Sequence, residues 1–109
     1  MPRAILTPRA RRELADAVEW IARDNRAAAT GLVRSADRAL TVLGSHPLSG
    51  SRRPELALDP VRFYLLSGYP YLLVCLSDRS PPAVARLIHG ARDLEQALGD
   101  ALSPSPRRS

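Results

Sequence analysis

Sixteen arginines without one lysine, two histidines, three tyrosines and a single cysteine are the side chains with which this chain could do chemistry. The set suits charge recognition better than proton transfer. Arginine stays protonated at any working pH and offers a planar fork to carboxylate or phosphate. A net charge of +5 therefore fits nucleic acid, a ribosome or an acidic protein surface, the plainer alternative being a solvated basic surface. Cutting a phosphodiester through its 2′-hydroxyl needs one group to take a proton, one to give a proton, and cations on the phosphate. With lysine absent, the bases on offer are His46, His89, carboxylates and a shifted tyrosine. His46 precedes Pro47 and reads as loop structure. His89 ends an apolar run, four residues before Asp93. As a base it would be oriented by Asp93; as a structural residue, the preferred reading, it closes a strand and hydrogen-bonds the turn.

Cys75 lies in an apolar run and reads as a core residue; alone, it excludes an intrachain disulfide and a zinc cluster. No metal or cofactor is expected. Arg86, flanked by Val84 and Ile88, is an odd choice for an inner strand, because a charge there must be paired or must face a groove. Its expected partner is Asp93 or Glu55, or else it has a functional role. Arg52, Arg53, Arg62 and Arg92 form a candidate basic patch, or a solvated surface. Trp20 reads as a core-edge residue or a partner's anchor.

These residues must be positioned by one domain, expected over residues 1–102. Residues 103–109, SPSPRRS, are too polar and proline-rich to pack and are expected to be disordered. Ala4–Leu6 reads as a strand. Thr7-Pro8 starts a helix, with a hydroxyl cap and proline in the first turn. Leu14, Val18 and Ile21 form its apolar stripe, and Arg9/Glu13, Arg12/Asp16 and Glu19/Arg23 are spaced to pair across a turn. Asn25 caps a second helix with a stripe of Leu32, Ala36, Ala39, Leu40 and Leu43, running to about Ser45. Ala27, Ala28, Ala29 and Gly31 are small enough for the two helices to approach closely as a hairpin. Three strands are expected at Val61–Leu66, Tyr69–Leu76 and Ala83–His89, in an antiparallel meander. In the last, Val84, Arg86 and Ile88 would share one face and Ala85, Leu87 and His89 the other. Gly90 permits a sharp exit into a short final helix carrying Leu94, Leu98 and Leu102. The fold class is α+β: an N-terminal strand, an antiparallel helical hairpin on a mainly antiparallel sheet of about four strands, and a short C-terminal helix. No run approaches the roughly 18 apolar residues of a membrane span, and Met1–Pro8 lacks the apolar core of a signal peptide, so a cytoplasmic address is expected.

This order, together with LTPRARRELADAVEWIARDN, HPLSG followed by RRPEL, VRFYLLSGYPYLLV and VARLIHGARDL, resembles the ParE-type toxins of the RelE/ParE superfamily over roughly residues 3–98. Arg62 matches an arginine common in that family. The resemblance implies a toxin neutralised by a ParD-like antitoxin and, for ParE members, poisoning of DNA gyrase without nuclease chemistry. RelE members instead cut mRNA in the ribosome. Here Pro70 stands where RelE-type chains carry a strand arginine, and no aromatic residue follows Ala91. Cys75 and Leu76 also replace a tyrosine and an arginine frequent in ParE-like chains. If the chain were a nuclease, His89, Arg86 and Arg62 would be its catalytic group. As a binding module, its contacts are expected among Leu14, Trp20, Arg52, Arg53, Arg62, Tyr64, Arg86 and Arg92. An apolar groove between hairpin and sheet would take the antitoxin's helix, and the free chain is expected to dimerise or aggregate through that exposed surface. Direct nucleic-acid binding stays open.

Overall fold

The computed structural model describes residues 2–54, 57 and 60–90. The expected final helix and basic tail, with Glu55, Arg92 and Asp93, lie outside the described residues. Strand β1 (Ile5–Leu6) leads into α1 (Pro8–Ala22), followed by α2 (Arg26–Ser45), β2 (Val61–Leu65), β3 (Tyr71–Leu76) and β4 (Ala83–His89). Both helices begin where their capping residues predict. The Thr7 hydroxyl accepts from the Ala10 N–H at 3.1 Å, and Asn25 Oδ1 accepts from the Ala28 N–H at 2.9 Å. Each cap satisfies a donor that the first helical turn leaves orphaned.

The sheet order is β1-β4-β3-β2. The three later strands form the expected antiparallel meander, but β1 runs parallel to β4, pairing Ile5 with Ala83 and Leu6 with Val84. The sheet is therefore mixed. β3 is inner and apolar throughout (YLLVCL), as suits a strand buried on both faces. It starts at Tyr71 because Tyr69 and Pro70 belong to the turn, where Gly68 holds a positive φ of 82°. That turn is tied to α2 by Tyr69, whose hydroxyl donates to the Ala28 carbonyl at 2.7 Å, and by Ser35, whose hydroxyl donates to the Ser67 carbonyl at 3.2 Å.

The sheet has a core on each face. On the helix side, Tyr71, Leu73, Cys75, Val84 and Leu87 pack with Ala10, Ala17, Leu32, Ala39, Leu40 and Leu43. On the other side, Val61, Phe63, Leu72, Val74 and Ile88 cluster with Ala57 and Leu76. The expected faces of β4 need correction here. Val74 pairs with Arg86 but Cys75 pairs with Val84, so Ala85 is the extra residue of a bulge. A bulge shifts side-chain alternation by one. Val84 and Leu87 consequently share the helix-side core while Ile88 enters the other.

Gly31 also does a different job from the one expected. A Cβ there would collide with the Tyr69 hydroxyl, so its smallness admits the β2–β3 turn and not α1. At Gly44 a Cβ would lie 2.5 Å from Arg3 Cα and from the Pro2 carbonyl oxygen. The N-terminal segment crosses α2 there, held by the Ala4 N–H donating to the Leu40 carbonyl at 2.9 Å.

Candidate functional site

β1 is only two residues long, so the outer edge of β4 needs other partners beyond Val84. The Thr7 N–H donates to the Val84 carbonyl at 3.0 Å, and the Thr7 hydroxyl to the Ala85 carbonyl, also at 3.0 Å. One helical turn along α1, Glu13 takes over. Its carboxylate accepts from the Leu87 N–H at 2.9 Å and from Arg86 Nε at 2.8 and 3.1 Å, with an Arg86 terminal nitrogen at 2.7 Å. The odd charge of the last strand is thus bonded to α1; Asp93 and Glu55, the partners expected from the sequence, lie outside the described residues. Arg9, one turn before Glu13, adds a looser contact at 3.8 Å. Charge-assisted bonds of this fork geometry are among the strong ones. Both side chains are largely shielded, at 11 % exposure for Arg86 and 22 % for Glu13.

Arg62 lies on β2 between Val61 and Phe63, whose side chains join the cluster on the sheet face away from the helices. One terminal nitrogen donates to the carbonyls of Leu48, at 3.3 Å, and Gly50, at 3.0 Å, while its Nε is buried without a partner among the described residues. The guanidinium braces the loop that joins α2 to β2.

A cleft of about 410 Å³ opens between α1 and the end of the β3–β4 pair, lined by Glu13, Asp16, Ala17, Trp20, Tyr71, Leu87 and His89. Its walls are an acidic turn of α1 and the rings of Trp20, Tyr71 and His89. Tyr71 and His89 meet edge to face, their ring centroids 5.7 Å apart. Trp20 is 63 % exposed, with the Arg23 guanidinium 5.3 Å from its ring centroid. The core-edge reading of Trp20 does not hold, since its indole is exposed and lines the cleft.

The structure therefore separates the predicted residues. Trp20 and His89 share the cleft, Arg86 is held at its side through Glu13, and Arg62 belongs to the loop after α2. Leu14 and Tyr64 are half-buried and pack against the helix-side core. Arg52 and Arg53 are exposed, and Arg92 lies outside the described residues. His46 is the exposed cap residue ending α2, in the loop where the sequence placed it. Cys75 is buried, and desolvation pushes its thiol up to about 12, leaving almost no thiolate at neutral pH. Among the described residues, no three His, Cys, Asp or Glu side chains gather to hold a metal ion, and no helix is long and apolar enough to cross a membrane. Glu13 is the residue that sequence reasoning missed. Its only signal was the Arg9/Glu13 spacing, which pointed along the helix and not across to β4.

Residues 4–94 match the family model described as the ParE toxin of the type II toxin–antitoxin system parDE. Among solved structures, the chain is similar to one of the chromosomal ParDE toxin–antitoxin system from P. aeruginosa. The TM-score is 0.67 at 17 % identity, with 82 % of this chain and 96 % of that one covered. Comparison with curated proteins by sequence finds no match.

Proposed function

The chain belongs to the ParE toxin family of type II toxin–antitoxin systems, and from that premise we propose that it is a cytoplasmic toxin that acts by binding DNA gyrase, not by cutting RNA. What supports a binding mode is the employment of its inner arginines. A ribonuclease needs cations free to meet a phosphate that gains charge in the transition state. Arg86 already faces the Glu13 carboxylate, and Arg62 is spent on two loop carbonyls. His89, the remaining candidate base, meets the Tyr71 ring edge to face. Protein contact demands none of that chemistry.

A ParD-like antitoxin would occupy the cleft beside Trp20. An amphipathic helix brings apolar anchors every three or four residues, and a cleft with an apolar floor at Ala17 and Leu87, an exposed indole and acidic walls suits such anchors flanked by basic residues. The direct test incubates purified protein with gyrase and relaxed plasmid, and in parallel with a programmed ribosome. The expected result is loss of supercoiling and accumulation of cut DNA, with message intact. Unchanged supercoiling at high toxin excess would remove gyrase as the target. Message cleavage that disappears in His89→Ala would replace binding by endoribonuclease activity.

A further inference from the structure

Surface loops are ordinarily the mobile parts of a domain, yet the loop that follows α2 is built to stand still. Arg62 grips the carbonyls of Leu48 and Gly50, on either side of Ser49. The Ser49 N–H donates to the His46 carbonyl at 3.0 Å, and Ser51 and Phe63 exchange two backbone hydrogen bonds of 2.7 and 2.8 Å. Gly50 is buried so tightly that a Cβ would sit 3.1 Å from Arg62 Cβ and from the Phe63 carbonyl oxygen. The grip leaves Arg62 Nε buried and unpartnered among the described residues, a cost a folded protein seldom accepts without return. At the tip of this braced loop stands Leu48, 64 % exposed and a member of neither core. The apolar side chain thus contributes little to folding, while its backbone is held in one conformation.

We infer that the 46–53 loop is a preformed docking element for the toxin's protein target, with Leu48 entering an apolar depression on that target and the exposed Arg53 meeting carboxylates at its rim. Holding an anchor rigid before contact removes much of the ordering cost of association. A leucine tip selects a protein pocket, since a phosphate backbone offers it nothing to enter. The loop pairs with the outer edge of β2, whereas the Trp20 cleft opens between α1 and the end of the β3–β4 pair. Target and antitoxin would then meet different surfaces. Such docking presupposes the binding mode proposed above.

The test compares wild type, Leu48→Asp and Arg53→Glu, each co-expressed with the antitoxin of its own operon and also induced without it. Growth arrest, inhibition of purified gyrase, antitoxin co-purification and melting temperature are measured. Leu48→Asp is expected to require about tenfold more toxin, or more, for the same arrest, the usual effect of losing an anchor, and Arg53→Glu to weaken it less. Both should keep the wild-type melting temperature and antitoxin yield. Full toxicity in Leu48→Asp would overturn the assignment. So would loss of antitoxin binding by that variant, which would give the loop to the antitoxin, or dissociation of a dimer with toxicity retained, which would make it a self-contact. If wild type arrests growth without touching gyrase and Leu48→Asp relieves the arrest, the docking loop stands and gyrase is the wrong target. Gyrase inhibition that is equal in wild type and Leu48→Asp has the reverse meaning. A wild type that neither arrests growth nor inhibits gyrase overturns both.

Discussion

Glu13 and Arg86 illustrate how much one contact can hold. The carboxylate neutralises a shielded guanidinium and at the same time occupies the Leu87 N–H that a longer β1 would have bonded. Glu13→Gln keeps an acceptor for that N–H but strips the opposing charge. Removing the charge that faces a shielded cation costs about 2–3 kcal/mol, to be read from urea denaturation. Combining it with Arg86→Met should recover part of the loss, with a coupling of about 1 kcal/mol or more. Strictly additive losses would mean the two do not act as a unit. The sequence pointed to Arg86 because a charge between Val84 and Ile88 demands explanation. It did not point to Glu13. Glu13 is 73 residues away, and no local spacing rule reaches across a sheet edge. Asp93 and Glu55, the partners the sequence suggests, lie outside the described residues.

Among the elements, the helices were the most legible, because their signals are local: a cap at Thr7, a cap at Asn25, and apolar stripes of helical period. The strands were legible as apolar runs, but their faces were not, since one extra residue at Ala85 reverses the alternation that face assignment relies on. Gly44 shows how tertiary contact overrides local preference. Alanine is favoured over glycine inside a helix by about 1 kcal/mol. At Gly44 its methyl would meet the backbone of Pro2 and Arg3 at 2.5 Å, and forcing a group into packed space costs about 1–3 kcal/mol. Gly44→Ala is expected to lower the melting temperature by about 5 °C. A rise would mean the N-terminal segment moves aside freely and does not constrain α2.

For the molecule as a whole, the proposed contacts divide between the cleft at Trp20, by the end of the β3–β4 pair, and the braced loop at Leu48, by the β2 edge. Trp20, at 63 % exposure, supports little of the fold, so Trp20→Ala should leave melting unchanged while weakening antitoxin binding about tenfold or more, measured by calorimetric titration. A melting loss as large as the affinity loss would assign Trp20 to the core instead. The amino-acid sequence alone determined the α+β class, the helical hairpin and its caps, the meander, the buried Cys75 and the family. All of these follow from periodicity, capping chemistry and motif order along neighbouring residues. Only the tertiary structure decided that β1 lies parallel to β4, that Arg86 answers to Glu13, that Trp20 faces outward and that Arg62 serves a loop. Each of those depends on which distant segments share an edge, and pairings across space leave no periodic trace in the chain.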